Sequence, residues 1–357
     1  MKYTVIGAGA MGYRYGVLLQ EVAGLDVDFV DTWQPNVDAV RDQGGVYVSR
    51  DHADRHLVPI HLCTPEEYTG HPDVWIVFVK QMQLDDVLKR CAHLFTPDQY
   101  LFTAMNGMGH LDKMRRYFPN KRIVAGTALV ATVLNGPGDV DFIGAPGAGT
   151  MHMVNATEIP DETTRAMERD FRAADLNPEL TRNLYGTLMA KVIFNSVVNT
   201  LCTMFTSTMG EYASYDGADQ ITRTLVDEAY DACERAGIAL IMSRQEEVDS
   251  VNHVSKVGNP LHYPSMYQGF SKGRPTEVDY INGYIARLGR EHGYTCHVHE
   301  FVTQEMHLAE AMRDAKAAVR TAAEQEKADQ MVVEPEKAPV AARGTLRFSP
   351  GPGTDRR

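Results

Sequence analysis

Two groups of residues in this chain have types and spacings suited to redox chemistry on a small polar molecule. The first is Gly7-Ala8-Gly9-Ala10-Met11-Gly12, a G-x-G-x-x-G turn that directly follows the apolar run Tyr3-Thr4-Val5-Ile6. Between a strand and a helix, Gly7 would make the tight turn, Gly9 would let a pyrophosphate approach the backbone, and Gly12 would allow close helix–strand packing. Free N–H groups and the dipole at the helix start favour the phosphate charge. The next apolar run ends in Asp31, about 20 residues on, where an acid can bind the ribose of a dinucleotide. The second group lies far downstream. The segment 184–205, LYGTLMAKVIFNSVVNTLCTMF, is apolar almost all round, and its polar exceptions include Thr187, Lys191, Asn195, Asn199 and Thr203 at steps of four. Such steps drift by only about 40° on a helix, so these residues form one stripe with roughly 6 Å per step. A lysine and two asparagines on a helix surrounded by protein need partners, and a polar, anionic ligand along the stripe would supply them. Hydride arriving at a keto carbon leaves an alkoxide to be protonated. Lys191, with a pKa lowered by burial, is the natural acid.

Asp31 also bears on the choice of dinucleotide. Its carboxylate can accept from both ribose hydroxyls of NAD, whereas the 2′-phosphate of NADP would meet it as a like charge. That costs about 4 kcal/mol per charge pair at ~4 Å and an effective dielectric of about 20. Neither Thr32 nor Trp33 supplies a compensating cation, so the local chemistry favours NADH. The alternative is that Asp31 points away and Lys80 or a distant arginine takes the phosphate.

These residues need a scaffold, and the chain suggests one. From 1 to about 180, β-branched runs (Tyr3–Ile6, Val27–Val30, Val74–Val79, Tyr100–Thr103) alternate with helical stretches, as in a parallel sheet covered on both faces. Segments 124–133 and 151–154 read as further strands. From 181 to 330 helical patterns take over, for example Ile221, Leu225, Ala229, Cys233 and Ala236. The expected fold class is therefore an α/β Rossmann N-terminal domain (1–180) plus an all-α C-terminal domain (181–330), with the active site in the cleft between them. Residues 331–357, rich in Pro, Gly and charge, read as a disordered tail.

Composition narrows the partners. A net charge of −12 gives no support for nucleic-acid or anionic-membrane binding. No run of eighteen or more apolar residues appears, so no membrane span is expected. Five dispersed cysteines without a C-x-x-C argue against a disulfide framework or a metal site and suit a reducing cytoplasm. The expected partner is a small-molecule 2-keto acid, and a homodimer through the helical part is compatible with the sequence. A non-catalytic dinucleotide sensor is the reading from another class, against which Lys191 speaks, since a sensor needs no proton donor.

Taken in order, Gly7–Gly12, Lys80 of FVKQMQ, Asn106 of AMNGMG, the K-x-x-x-N-x-x-x-N stripe, Ser265 and Thr276-Glu277-Val-Asp-Tyr-Ile-Asn-Gly283 resemble the ketopantoate reductase (2-dehydropantoate 2-reductase) family. The resemblance runs from Met1 to about Ala311. It implies NAD(P)H-dependent reduction of ketopantoate to D-pantoate, with NADPH as the family's usual cofactor. It implies Lys191 as proton donor and Asn106, Lys191, Asn195, Asn199 and Ser265 against substrate. On the cofactor side it implies Gly7, Ala8, Gly9, Ala10, Met11, Gly12, Asp31, Lys80, Asn106, Thr132 (through its backbone) and Glu277. Taken alone, Glu277 also reads as a helix-start acid favoured by the dipole.

Three positions depart from the family pattern. Met209 stands where an asparagine precedes the Gly-Glu pair, His262 stands where another precedes Ser265 by three, and Gln268-Gly269 replaces Gln-Asp. With Asp31, the string His262-Tyr-Pro-Ser-Met-Tyr-Gln268 also resembles the family's branch of NAD-dependent D-2-hydroxyacid dehydrogenases, which act on branched or aromatic 2-keto acids of the mandelate type. A methionine in place of an amide removes a hydrogen-bond donor and adds apolar contact, favouring a substrate without ketopantoate's hydroxyl.

Overall fold

The computed structural model describes residues 1–332, with side-chain surroundings through residue 321. Its strands are β1 (Tyr3–Ile6), β2 (Val27–Val30), β3 (Val46–Arg50), β4 (Ala53–Val58), β5 (His61–Cys63), β6 (Val74–Val77), β7 (Tyr100–Thr103), β8 (Ile123–Leu129), β9 (Ala131–Gly136), β10 (Asp139–Ile143), β11 (Thr150–Asn155) and β12 (Pro178–Leu180). Helices α1 (Ala10–Glu21), α2 (Gln34–Gln43), α3 (Leu84–Cys91), α4 (His110–Met114) and α5 (Glu162–Ala173) are interspersed among them. Among the described residues seven α-helices follow: α6 (Leu184–Met204), α7 (Met209–Ala213), α8 (Ala218–Arg235), α9 (Arg244–His253), α10 (Ser265–Phe270), α11 (Asn282–Glu291) and α12 (His297–Val332). This is the expected α/β Rossmann sheet followed by an all-α part. Met1–Glu310 forms one compact unit, and the chain from Ala311, which continues α12, forms a second. The expected tail, 331–357, begins with the last two residues of α12 and from 333 on lies outside the described residues.

The main sheet has the order β12-β11-β8-β7-β6-β1-β2-β5. Strands β5, β2, β1, β6, β7 and β8 are parallel neighbours, and the order reverses direction in sequence beside β1. Ligands of open α/β sheets bind at the carboxyl ends of the strands where the order reverses. The turn 7–12, Asp31, Lys80 and Asn106 follow the ends of β1, β2, β6 and β7, so the sheet brings them to one edge.

Alternation along each strand divides the interior into two cores. Tyr3, Val5, Ile76 and Phe102 face a core built with α1, α2 and α5, while Ile6, Trp75, Val77 and Leu101 face the other. The second core is continuous with Leu188, Val192, Ile193, Val197 and Leu201 of α6, so that helix is anchored on the sheet itself. Each such side chain contributes about 1.5–3 kcal/mol on burial. By length and composition α6 could cross a membrane, but 83% of its most apolar window is buried within the protein, which makes it a core helix.

Residues 124–133, expected as one strand, form parts of two. β8 belongs to the main sheet, and after Val130 the chain passes into β9 of a separate four-stranded sheet, β4-β3-β10-β9. Pro137-Gly138, directly after Gly136, turns the chain from β9 into β10 as an antiparallel hairpin, in which Thr132 pairs with Phe142.

Candidate active site

The glycine turn behaves as its sequence requires. Gly7 has φ +93°, a conformation that favours glycine, and a Cβ there would collide with the Phe78 carbonyl. A Cβ on Gly12 would collide with the Gly7 oxygen, so this glycine sets the close approach of α1 to the turn. Gly9 differs, because a Cβ on it would meet no protein atom within 4 Å. Protein packing therefore does not require the bare backbone at Gly9, whereas a dinucleotide lying over it would. Gly9 caps α1 without a side-chain hydrogen bond, and no acidic residue stands in the first turn, so the N–H groups of Ala10 and Met11 meet no competing anion from the helix itself.

Asp31 is more heavily engaged than the sequence suggested. It is only 9% exposed; Oδ2 accepts from the Ala8 N–H at 3.0 Å and from Asn36 Nδ2 at 3.1 Å, and Oδ1 accepts from the Trp33 N–H at 3.0 Å. Burial pushes this carboxyl above its usual range, and those donors pull it back. Three of about four acceptor sites are taken, and the Thr32 N–H also favours the charged form, which leaves room for one further donor at most rather than two hydroxyls. Sequence reading missed Asn36. Fully buried on α2 beside Val37 and Val40, it donates to the Ala8 carbonyl at 2.9 Å and accepts from Tyr13 at 2.9 Å and the Gly138 N–H at 2.8 Å. A polar residue in the buried phase of an amphipathic helix was the available signal.

Lys80 and Glu277, both expected beside the cofactor, are partners of each other at 2.7 Å. Thr132 is buried on β9, where its hydroxyl accepts from Arg14 at 3.4 Å; Arg14 also donates to the Ala131 carbonyl at 2.9 Å. Arg14, 2% exposed in the second turn of α1, thus ties that helix to the strand carrying Thr132. Nothing in the sequence pattern had marked it.

The stripe on α6 meets the sheet edge. Asn195 Nδ2 donates to Asn106 Oδ1 at 3.4 Å, Asn106 Nδ2 to Ser265 Oγ at 3.5 Å, and Asn199 Nδ2 to the same Ser265 Oγ at 3.3 Å. Asn199 also accepts from the Met266 N–H at 3.0 Å, fixing the start of α10. Four residues from three distant parts of the chain are thereby joined: the loop after β7, α6 and α10. One turn before Asn195, the Lys191 amine has no hydrogen-bond or carboxylate partner among the described residues and lies 5.6 Å from the Phe194 ring centre. Burial alone pushes it down to about 8. The His262 imidazole is held below its ordinary value by burial and then by the charge of Lys191, which places the two in one electrostatic neighbourhood. Met209 and His262 are also linked, by a bond from the Met209 N–H to the His262 carbonyl at 3.1 Å.

Such an arrangement can hold a small anionic molecule by carboxamides and a hydroxyl while an amine gives or takes a proton at its reacting end. Residues 3–155 match the family described as "Ketopantoate reductase PanE/ApbA", and residues 183–310 match "Ketopantoate reductase PanE/ApbA C terminal". The 2-dehydropantoate 2-reductase of Lactococcus lactis subsp. lactis (strain IL1403) is 29% identical over 319 residues, covering 88% of this chain and 100% of its own. That of Aquifex aeolicus (strain VF5) is 24% identical over 318 residues, covering 85% and 95%. Among solved structures, the ternary structure of D-mandelate dehydrogenase with NADH and anilino(oxo)acetate is similar with a TM-score of 0.82 at 28% identity, covering 88% of this chain and 100% of that one. A PanE/ApbA family ketopantoate reductase from Ralstonia eutropha JMP134 shares the fold, with a TM-score of 0.77 at 22% identity, covering 88% and 100%.

Proposed function

The chain belongs to the ketopantoate reductase family, and from that premise we propose that it carries out NAD(P)H-dependent reduction of 2-dehydropantoate to D-pantoate, a step towards pantothenate. The observation that carries this reading is the Lys191 amine. Among the described residues it has no hydrogen-bond or carboxylate partner, and it stands one turn before the asparagines that reach Asn106 and Ser265. When bound, a reduced nicotinamide supplies the hydride. Asn106, Asn195, Asn199 and Ser265 orient the polar groups of the keto acid. Lys191, with a pKa near 8, holds a proton at neutral pH and gives it to the oxygen of the reduced carbon. On the cofactor side, Gly7–Gly12 and the start of α1 take the pyrophosphate, and Lys80, Glu277 and the backbone of Thr132 line the remainder. The reading keeps the division into domains at 1–180 and 181–330, a cytoplasmic location and a homodimer.

NADH is the proposed preference. Asp31 stands at the end of β2 with capacity for one ribose hydroxyl, and Lys80, a cation that could take a 2′-phosphate, is held by Glu277.

A second reading is favoured by a specific pair of residues. Met209 and His262 replace two carboxamides side by side, and the mandelate dehydrogenase neighbour holds NADH and anilino(oxo)acetate. On this reading the enzyme is an NAD-dependent D-2-hydroxyacid dehydrogenase for branched or aromatic 2-keto acids. Steady-state rates with ketopantoate, 2-ketoisocaproate and benzoylformate, each with NADH and NADPH, separate the two. The first reading expects ketopantoate to have the highest kcat/KM, and a clear preference for benzoylformate would overturn it in favour of the second.

A further inference from the structure

Gln81 lies between the cofactor side and the substrate side of this site, and neither has yet accounted for it. It is fully buried, which is costly for an amide unless its polar atoms are used. Its main-chain N–H faces Glu277 Oε1 at 3.4 Å, and its main-chain oxygen accepts from the Lys113 amine at 3.0 Å. The side chain turns the other way. Nε2 donates to the Asn106 carbonyl at 2.9 Å and lies 3.1 Å from His110 Nδ1.

The direction of this amide is fixed by its neighbours. Flipping it would set Oε1 against the Asn106 carbonyl, acceptor against acceptor. His110 is fully buried, and burial pushes its imidazole down to about 4, so the ring is neutral and its Nδ1 can accept from Gln81. This orientation leaves Gln81 Oε1 and His110 Nε2 without a partner among the described residues. An amide held this way despite an orphaned oxygen is held for the bond its nitrogen makes, and that bond ends on Asn106. The Asn106 carboxamide in turn is the link to Asn195 and Ser265. A rotation of the backbone at Asn106 would swing it out of the cleft.

We infer that Gln81 is a positioning residue: it locks the main chain at Asn106 so that the carboxamide faces substrate, while its own N–H steadies Glu277 on the cofactor side. This rests on the reading of the cleft as a 2-keto acid reductase site. The two halves of the site are then coupled through one residue that touches neither ligand.

The test is a double-mutant cycle with Gln81→Met, which keeps the length and removes the amide, in the native chain and in an Asn106→Ala background. kcat/KM is measured for the best 2-keto acid, with the Kd of reduced cofactor by fluorescence titration. In the native chain the substitution should lower kcat/KM about 30-fold while the cofactor Kd moves less than threefold. In the Asn106→Ala background the same change should cost less than threefold, because the side chain being positioned is already gone. A full 30-fold loss in both backgrounds, or native turnover in Gln81→Met, overturns the inference. If Gln81→Met does not fold, Gln81→Glu serves. Its carboxylate cannot donate to Asn106 and its protonated form can, so activity relative to native should recover as pH falls from 8 to 6, and a flat ratio contradicts the role. A native enzyme that reduces no 2-keto acid would overturn the reading of the cleft itself, whereas native turnover with additive losses removes only the role of Gln81.

Discussion

The Lys80 amine lies 2.7 Å from a carboxylate oxygen of Glu277, a contact across 197 positions of sequence. One residue follows β6 of the sheet and the other precedes α11, so the pair joins the sheet edge to the helical part beside the proposed cofactor. Lys80 is 44% exposed, which screens the pair, and its removal is expected to cost about 1 kcal/mol rather than the larger value of a buried one. If the pair also orders the cofactor side of the site, Glu277→Gln should weaken binding of NADH about fivefold by fluorescence titration. An unchanged Kd would mean that the pair is only structural.

Asp31 holds the turn together, and selection of the cofactor is the second duty proposed for it; its replacement tests both. Asp31→Ser removes the acceptor for Ala8, Asn36 and Trp33 and leaves buried donors unsatisfied, at about 1–3 kcal/mol. The melting temperature should fall by several degrees. The ratio of kcat/KM with NADH to that with NADPH should fall at least tenfold. A ratio that does not move would separate Asp31 from cofactor choice.

Much of this site was legible in the sequence because burial makes polar residues conspicuous. On α6 nearly every other position is apolar, so Lys191, Asn195 and Asn199 stood out, and the helix ends fell within one residue of the expected segment. Strands β1, β2 and β7 were read with their observed bounds because both faces are buried and the runs are continuous. The second sheet was not seen. All of β4 but Val58 is exposed, leaving no apolar signal, and 124–133 read as one strand because the passage between sheets at Val130 is apolar too. Asn36, Gln81 and Arg14 escaped for another reason. The buried phase of α2 could have marked Asn36, but each of the three also bonds backbone oxygens more than twenty positions away, and no local periodicity encodes which partner those are.

His262 should set substrate preference. It stands in the electrostatic neighbourhood of Lys191, and its backbone is bonded to that of Met209. His262→Asn restores a carboxamide that can pair with a substrate hydroxyl, so kcat/KM for ketopantoate relative to benzoylformate should rise about tenfold. A ratio that stays constant would exclude His262 from the substrate's surroundings.

Glu247 offers a stability test independent of activity. It is 2% exposed on α9, its Oε2 has no partner among the described residues, and burial pushes its carboxyl up to about 8. The folded chain keeps this proton while the unfolded chain loses it near the ordinary value. Its contribution to stability is thus fully present below about pH 4.5 and is lost as pH rises through 8. Glu247→Gln removes that loss, so its melting temperature should exceed the native one by a margin that widens from pH 5 to pH 8. A constant margin would place the carboxylate in contact with water or a cation.

Lys191 as proton donor is most directly tested by the pH dependence of keto acid reduction in native enzyme and in Lys191→Ala. With the amine near 8, native kcat/KM should be level below that pH and fall tenfold per unit above it as the proton is lost. Lys191→Ala should lose several hundredfold in kcat, keep its affinity for reduced cofactor, and show no such limb. Near-native kcat in Lys191→Ala, or a falling limb near pH 8 that persists without the amine, would contradict the assignment.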